Sequence, residues 1–338
     1  MSHEVDMSKY KLRTDLAIES ISDEVKQDSI DYDGINVTSI VLDDEMANQI
    51  SKKPGNYITI TFDDVTDSLN NEKVKNVFIE CFKKLLCSVE VSDDDSCLIV
   101  GLGNVKSTPD SLGPSTIDRL VVTNHLYELG NLESGFRRIS AFNPGVMGTT
   151  GIETSDIIKG IVEKIKPDFL IVVDALASSS LERVNRTIQI TDTGIHPGSG
   201  IGNSRKEISF DTIGIPVIAI GVPTTVDAVT IVSDTIGYMA KHFSYVKNNI
   251  DNPINKLIVN GSINYMKKDI IVRDSDRREL LGLVGNLDNY EIRKLIDEVL
   301  TPIGYNFMVT PKEVDFVISK LCDVIGNGLN EALRINNS

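Results

Sequence analysis

An apolar stretch that ends in a glycine turn constrains this chain more than any other feature. Residues 97–100 read Cys-Leu-Ile-Val and run into Gly101-Leu-Gly-Asn104, after which a polar loop carries Asp110. An uninterrupted apolar run that ends in glycines is typical of a parallel strand buried on both faces. Ligands bind beyond the carboxyl ends of strands in such sheets, so we expect Asp110 to lie where the chemistry takes place.

Strand and helix patterns alternate along the rest of the chain. Two further apolar runs, residues 169–173 and 216–221, predict buried strands, and residues 35–42 and 56–62 are shorter β-like runs. The predicted helices are residues 73–86, 115–129, 154–166 and 228–241. This alternation predicts an α/β fold with a doubly wound, mostly parallel sheet flanked by helices.

Two long stretches of the second half complete the prediction. Residues 188–206 are rich in Gly, Thr, Asn and Ser, which predicts a long and functional loop. Residues 246–285 are the best candidate for a linker. A helical C-terminal region is expected over about 286–335, where residues 313–333 have an apolar stripe at helical spacing. Such a stripe favours a packing face over a cofactor groove.

Composition narrows the classes of protein. The formal net charge of −15 argues against a nucleic-acid partner, since phosphate binding requires clusters of Lys and Arg. No apolar run reaches the roughly 18 residues that a membrane span needs, and the polar N-terminus lacks the pattern of a signal peptide. The cysteines have no Cys-x-x-Cys spacing, which predicts reduced thiols in a cytoplasmic protein.

Two aspartates follow two of the predicted core strands. Asp110 lies just beyond the first strand and Asp174 directly after the second. Two carboxylates that meet across the crevice of the sheet cannot both ionise easily, so they share a proton. One can then act as a base toward water while the other donates its proton. The alternative is that each aspartate caps the following helix. Asp192 and Asp227 are further acidic candidates near the same edge.

Other chemistries have weaker patterns. No Gly-x-Ser-x-Gly or His-Glu-x-x-His motif occurs, and the turn at residues 101–104 lacks the third glycine of a dinucleotide-binding fingerprint. His196 could join Asp110 and Asp174 in a metal-dependent or metal-sensing peptidase. A non-enzymatic alternative is a small-molecule or nucleotide binding module built on the glycine turn.

Several long motifs, in order along the chain, resemble those of the germination proteases of spore-forming bacteria. The motifs are Gly101-Leu-Gly-Asn104, Thr108-Pro-Asp-Ser-Leu-Gly-Pro114, Pro144-Gly-Val-Met-Gly148, Gly151-Ile-Glu-Thr-Ser-Asp156, Val173-Asp-Ala-Leu-Ala177, Arg183-Val-Asn185, Thr191-Asp-Thr-Gly-Ile-His-Pro-Gly-Ser-Gly200, Ile215-Pro-Val-Ile-Ala-Ile-Gly-Val-Pro-Thr224 and Met308-Val-Thr-Pro-Lys-Glu-Val-Asp315. The resemblance extends over residues 10–333.

The resemblance implies an endopeptidase that degrades small acid-soluble spore proteins during germination, with no cofactor or metal. Such a protein is made as an inactive, homotetrameric zymogen in the developing forespore and acts in the spore core. The proposed catalytic aspartates of the family match Asp110 and Asp174, and a fall in pH would favour their working, singly protonated state. The core is expected to be similar to that of the hydrogenase-maturation endopeptidases.

The resemblance also gives the N-terminal segment a role. The family cleaves after an acidic residue that is followed by an apolar residue, Ala, any residue and Glu. Asp15-Leu-Ala-Ile-Glu19 has this form, so the bond between Asp15 and Leu16 is the expected processing site. The implied organisation is a propeptide of residues 1–15 and a single peptidase domain of residues 16–338, with Asp192 and His196 as possible supporting residues of the site.

Overall fold

A computed structural model describes the chain over residues 14–21, 27–198, 205–249, 265, 270–300 and 307–335. Its strands are β1 (Asp28–Tyr32), β2 (Ile35–Leu42), β3 (Gly55–Thr61), β4 (Cys97–Gly101), β5 (Ile139–Phe142), β6 (Phe169–Ser178), β7 (Thr187–Thr191), β8 (Val217–Asp227) and β9 (Met308–Val309).

The helices lie between and after these strands. They are α1 (Asp44–Gln49), α2 (Ser68–Ser88), α3 (Leu112–Ile117), α4 (Asn124–Glu128), α5 (Met147–Thr150), α6 (Thr154–Ile165), α7 (Phe210–Ile213), α8 (Ala228–Asn249), α9 (Asp274–Leu281), α10 (Asn289–Leu300) and α11 (Val314–Ala332). Short 3-10 helices occupy Ala17–Glu19, Thr108–Asp110 and Gly282–Asn286.

The strands form one mixed sheet in the order β1-β2-β3-β7-β8-β6-β4-β5, and β9 pairs with the end of β8. Strand β4 lies parallel to both β5 and β6. Four other pairs are antiparallel: β1 with β2, β2 with β3, β3 with β7, and β7 with β8. The predicted α/β class, a mostly parallel sheet flanked by helices, is confirmed, and the antiparallel extension through β3 and β7 adds to it.

Helices cover both faces of this sheet because successive side chains of the parallel strands point to opposite faces. On β4, Ile99 belongs to the core that contains α2, α3 and α11, whereas Leu98 and Val100 belong to the core that contains α6 and α7. Successive side chains on a strand point to opposite faces, so a strand that is apolar at every position has to be covered twice. The uninterrupted apolar runs in the sequence therefore predict the two helical layers.

Helices α2 and α11 form the thicker of the two layers. The carboxylate of Asp67 accepts hydrogen bonds from the backbone N–H groups of Leu69 and Asn70, both at 3.1 Å, and so caps the start of α2. Phe78 and Phe82 stack on the buried face of α2 with ring centroids 5.8 Å apart. The apolar stripe that predicts a packing face on α11 is buried in the same core.

The chain divides into two compact units. The larger takes its described residues from 14–178, 183–225 and 310–335, and it contains the parallel strands, Asp110 and Asp174. The smaller takes them from 179–182 and 226–309. Its helices α8 and α10 share a small apolar core of Val229, Ile292 and Ile296. Nearly half of the predicted linker, residues 250–264 and 266–269, lies outside the described residues, and its last part forms α9 and a 3-10 helix.

Three elements differ in extent from the sequence-based expectation. The predicted helix 115–129 is two short helices, α3 and α4, because Thr123 between them bonds to the backbone of Arg137 and Ile139 instead of continuing the helix. The predicted loop 188–206 begins with strand β7, and its residues 199–204 lie outside the described residues. Strand β6 continues to Ser178, five residues beyond the apolar run.

We expect Gly113→Ala to destabilise the larger unit. A Cβ atom at Gly113 would lie 2.2 Å from the carbonyl oxygen of Leu102 and 2.5 Å from that of Val173, and neither backbone atom can move without disturbing a core strand. Overpacking of this kind costs about 1–3 kcal/mol of the free energy of unfolding. Urea denaturation of the variant and the parent measures the loss, provided that the free energy of unfolding falls with urea concentration at the same slope in both.

Gly160→Ala is the matched control for this substitution. Gly160 lies on an exposed position of α6, and no atom lies within 4 Å of the place that an added methyl group would occupy. Alanine should therefore stabilise the protein by roughly 0.5–1 kcal/mol. Equal denaturation midpoints for the two variants would contradict the close approach of α3 to β4 and β6.

Candidate active site

A glycine turn at the end of β4 positions Asp110. Gly103 has φ 115°, and a Cβ atom there would lie 2.0 Å from the carbonyl oxygen of Asp110, so both the backbone conformation and the space require glycine. The backbone N–H of Asn104 donates to the same oxygen at 2.9 Å. From β8, the hydroxyl of Thr224 donates to the carbonyl oxygen of Pro109 at 2.7 Å. These contacts fix the short 3-10 helix that ends at Asp110.

Asp174 lies within β6, directly beside this turn. Gly101 on β4 pairs with Val173 on β6, and the N–H of Leu102 donates to the carbonyl oxygen of Val173 at 2.8 Å. The side chain of Asp174 is almost fully buried, with a relative exposure of 6% for the residue. One carboxylate oxygen accepts a hydrogen bond from the N–H of Ala175 at 2.9 Å. Asp174 is thus a buried acid on a core strand and not a helix cap.

The charges around the two aspartates are coupled. Burial raises the pKa of Asp174 well above its usual range, and the negative charges of Asp110 and Asp15 raise it further. Burial also raises the pKa of Asp110, while the Asn104 N–H and the positive charge of Arg205 oppose this rise. Two carboxyl groups with raised pKa values that feel each other's charge are suited to hold one proton between them.

The segment from Thr14 to Ile21 is hydrogen-bonded to strands β6 and β7. The N–H of Asp15 donates to the carbonyl oxygen of Ala177 at 3.1 Å, and the N–H of Ala177 donates to the Asp15 carboxylate at 2.9 Å. Two residues further on, the N–H of Ala17 donates to the side-chain oxygen of Gln189 on β7 at 2.7 Å. The segment is therefore held through its backbone, three residues along β6 from Asp174, as a bound peptide would be.

The side chains of this segment are held as firmly as its backbone. Leu16 and Ala17 are fully buried. Ala17 packs in a cluster whose other buried members are Ile40, Leu42, Ala47 and Tyr57. The Glu19 carboxylate accepts a hydrogen bond from the hydroxyl of Ser178 at 2.6 Å and lies 3.5 Å from Nε of Arg183. The Glu19 side chain is only 5% exposed.

The other acidic candidates have structural partners. The Asp192 carboxylate accepts hydrogen bonds from the backbone N–H of Asn56 at 2.8 Å and from its side-chain amide at 2.5 Å, which ties β3 to the end of β7. The Asp227 carboxylate accepts from the N–H of Thr230 at 2.7 Å and from its hydroxyl at 2.9 Å, at the start of α8. Asp227 therefore caps the start of α8.

The histidine candidate has an acidic partner of its own. Nε2 of His196 lies 3.3 Å from a carboxylate oxygen of Glu207, and the His196 side chain is 54% exposed. Within the described part of the chain, no group of three or more His, Cys, Asp or Glu side chains is arranged to hold a metal ion. Among the described helices, none combines the length and the apolar character needed to cross a membrane.

The structure thus brings together Asp110, Asp174 and the predicted processing site at Asp15 and Leu16. Several further contacts of the segment and the pair come from residues that the sequence does not single out as site candidates. They come from Lys52, Ser178, Arg183, Gln189 and Arg205. Arg183 belongs to the motif of residues 183–185 and Arg205 follows a stretch rich in Gly, Asn and Ser, signals that could have drawn attention to them; Lys52 and Gln189 offer no signal of that kind.

Comparisons with known proteins agree with one another over nearly the whole chain. The model of the family described as "Germination protease" matches residues 2–337. The "Germination protease" of Bacillus subtilis is 48% identical over 353 residues, which cover 98% of this chain and 95% of the relative. That of Bacillus cereus is 49% identical over 355 residues, or 99% of this chain and 96% of the relative.

A solved structure is also similar to part of the chain. It is a NiFe hydrogenase maturation protease from Thermococcus kodakarensis, 19% identical, and the match covers 41% of this chain and 80% of that protein with a TM-score of 0.29. A TM-score this low does not establish a shared fold, so the predicted likeness of the core to hydrogenase-maturation endopeptidases stays a prediction.

We expect Asp174→Asn to stabilise the protein at neutral pH. A carboxyl group whose folded pKa is raised contributes stability below its unfolded pKa, about 3.9, and loses it as the pH rises through the folded pKa. The amide carries no charge, so the melting temperature of the variant relative to the parent should increase from pH 4 to pH 7.5. Calorimetry over this range measures the difference.

Asp168→Asn should show the opposite sign. Hydrogen bonds from the side chain and backbone of Ser96 lower the pKa of Asp168, so its stabilising effect is present above pH 4 and is lost as the pH falls further. This variant should therefore be less stable than the parent above pH 4, and the difference should shrink as the pH falls through the lowered pKa of Asp168. A pH-independent difference for Asp174→Asn would contradict the buried, charge-coupled environment.

Proposed function

The chain belongs to the germination protease family, and we propose that it is an aspartic-type endopeptidase which is made as a zymogen and processes itself. Membership of this family makes the chain a peptidase. Once processed, it initiates the degradation of small acid-soluble spore proteins during spore germination. Asp110 and Asp174 are the catalytic pair, and the bond between Asp15 and Leu16 is the one that the chain cleaves in itself.

The observation that supports this most is how the N-terminal segment is held. The expected cleavage pattern restricts four positions, and each has a defined environment: Asp15 bonds to Ala177, Leu16 and Ala17 are fully buried, and Glu19 meets Ser178 and Arg183. The position that accepts any residue, Ile18, is half-buried. The contacts thus match the pattern position by position, and they lie next to the acidic pair.

The chemistry follows from one shared proton. Asp174 is the more deeply buried acid and feels two other carboxylates, so the proton resides on it and Asp110 is the base. Asp110 removes a proton from water as the water oxygen attacks the carbonyl carbon of Asp15. Asp174 donates its proton to the nitrogen of Leu16, and the peptide bond breaks. The products are a carboxyl group on Asp15 and an amine on Leu16.

The same pair implies a pH dependence for processing. Lowering the pH through the raised pKa of Asp174 increases the population with one shared proton, and the rate rises. Still lower pH also protonates Asp110, and the rate falls. The profile is therefore bell-shaped.

The remaining parts of the proposal come from the family resemblance. Residues 1–15 are the propeptide, the chain assembles as a homotetramer, and the protein works in the developing forespore and the spore core without a cofactor. Residues 1–13 lie outside the described residues. The molar mass of the purified chain in solution, measured by light scattering, tests the homotetramer. Asp192 and His196 support the site through the loop that follows β7 and take no part in the proton transfers.

We expect Asp110→Asn and Asp174→Asn to abolish self-processing in practice. An amide can neither accept the proton of water nor donate one to the leaving nitrogen, so each variant should be slower by roughly 10²–10⁴-fold. The measurement is mass spectrometry of the chain after incubation at mildly acidic pH, which detects the new N-terminus at Leu16.

Asp168→Asn, at the opposite end of β6, should process at the parental rate under the same conditions. Normal trimming by either Asp110→Asn or Asp174→Asn would disprove the aspartate pair. A chelator should leave the parental rate unchanged after exhaustive dialysis. Loss of activity that is restored by added metal would instead favour the metal-dependent alternative with His196.

We also expect Glu19→Gln to slow processing, by about 10- to 100-fold. The substitution keeps the shape but removes the charge that meets Ser178 and Arg183, and a buried hydrogen bond to a charged group contributes about 1.5–3 kcal/mol. Ile18→Val is the control and should process at nearly the parental rate, because the pattern accepts any residue there and valine keeps the apolar contact of Ile18 with the cluster around Ala17. Equal rates for the two variants would contradict recognition of this segment as a substrate.

A further inference from the structure

A lysine contacts the carbonyl group of the proposed scissile bond. Nζ of Lys52 donates to the carbonyl oxygen of Asp15 at 3.0 Å and to that of Thr14 at 3.4 Å. The Asp15 oxygen is the atom on which negative charge develops when water attacks the adjacent carbon. A donor that stabilises this charge lies about 2.7–3.1 Å from it, and Lys52 is already at such a distance.

We propose that Lys52 is a further catalytic residue, whose ammonium group stabilises the oxyanion formed on Asp15 during cleavage. This inference rests on the proposed function, since it takes the bond between Asp15 and Leu16 as the one that is cleaved. The same ammonium would serve any peptide that binds along β6 and β7 as residues 14–19 do.

The backbone holds Lys52 in place before the reaction. Helix α1 is followed by Ser51, which has the left-handed φ of 55°, and the N–H of Lys52 then donates to the carbonyl oxygen of Ala47 at 2.9 Å. Ala47 is buried in the cluster that also holds Ala17. One cluster therefore fixes both the lysine and the second residue after the scissile bond. A donor that is fixed in this way needs little reorganisation in the transition state.

The surroundings of Lys52 strengthen it as a donor. Its partial burial lowers its pKa, while the charges of Asp15 and Glu19 act in the opposite direction. An ammonium group that has lost part of its water shell interacts more strongly with a developing negative charge than a solvated one. Lys52 keeps its proton throughout, so it adds no step to the proton transfers.

Lys52 takes part in the cleavage step only as a hydrogen-bond donor. The water oxygen forms a bond to the Asp15 carbonyl carbon, Asp110 takes the water proton, and the π electrons of the carbonyl move to the oxygen that Lys52 binds. When the oxyanion collapses, the carbon–nitrogen bond breaks and Leu16 receives the proton of Asp174. No oxidant, reductant or further reactant is needed.

The competing role for Lys52 is electrostatic support of Glu19, whose charge also acts on it. The two roles separate in a double-mutant cycle. If Lys52 only neutralised Glu19, then Lys52→Met would have little effect once Glu19→Gln had removed the charge. If Lys52 acts on the scissile carbonyl, the effect of Lys52→Met is the same in both backgrounds.

The test measures the first-order rate at which the Leu16 N-terminus appears in the full chain. The variants are Lys52→Met, Lys52→Arg and Lys52→Met with Glu19→Gln, and hydrogen exchange of the Asp15 and Ala17 amides reports whether the segment stays bound. Lys53→Met is the control, because the ammonium of Lys53 pairs with Glu207 and Asp211 instead. It should stay within about threefold of the parent.

We expect Lys52→Met to be slower by about 10²–10³-fold in both backgrounds, with the amides still protected and with partial recovery in Lys52→Arg. A parental rate in Lys52→Met overturns the proposal, as does a slow rate that disappears with Glu19→Gln or that accompanies loss of amide protection. Failure of the parent chain itself to produce the Leu16 N-terminus would instead overturn the proposed self-processing, so the two failures are distinguishable.

Discussion

The burial of one carboxyl group, that of Asp174 on β6, is the constraint on which the rest of this site depends. A charge in that position is costly, and the cost falls when the group holds a proton and has a neighbour with which to share it. Asp110 is that neighbour, and it comes within reach because β4 is adjacent to β6 and because Gly103 lets the chain turn back at the end of β4. The glycines of the turn therefore matter because they position the carboxyl group of Asp110.

Strand β6 also connects the proposed catalytic acid with the residues that hold the N-terminal segment. It carries Asp174, then Ala177, which bonds to the backbone and side chain of Asp15, and then Ser178, which bonds to Glu19. Spacing along a strand is fixed by its geometry, so the position of the acid relative to the bound peptide is set by the fold and not by a flexible loop. Strand β7, which β8 separates from β6 in the sheet, completes the arrangement through Gln189.

The sequence predicts the parallel half of the fold and the acidic pair, since apolar strands, helical spacing and an aspartate after each strand are local patterns. In the antiparallel half it predicts β2 and β3 as β-like runs, but neither β7 nor the antiparallel pairing. Strand β7 reads Thr-Ile-Gln-Ile-Thr, and its alternation is hidden within a stretch of turn-forming residues. The helix pattern of residues 115–129 fails because Thr123 bonds across to a distant segment. Lys52 escapes notice for the same reason, since its partner is 37 residues away in the chain.

The crowding of carboxylates around Asp15 has a consequence for the direction of the reaction. The uncut segment already brings its Asp15 carboxylate close enough for its charge to act on Asp174, on which the charge of Asp110 also acts. Cleavage after Asp15 would create a second carboxylate on the same residue, at the new chain end. Repulsion from the two acids, which the attraction of Lys52 opposes, would then loosen the severed piece and hinder its religation, so the proposed activation step would run in one direction.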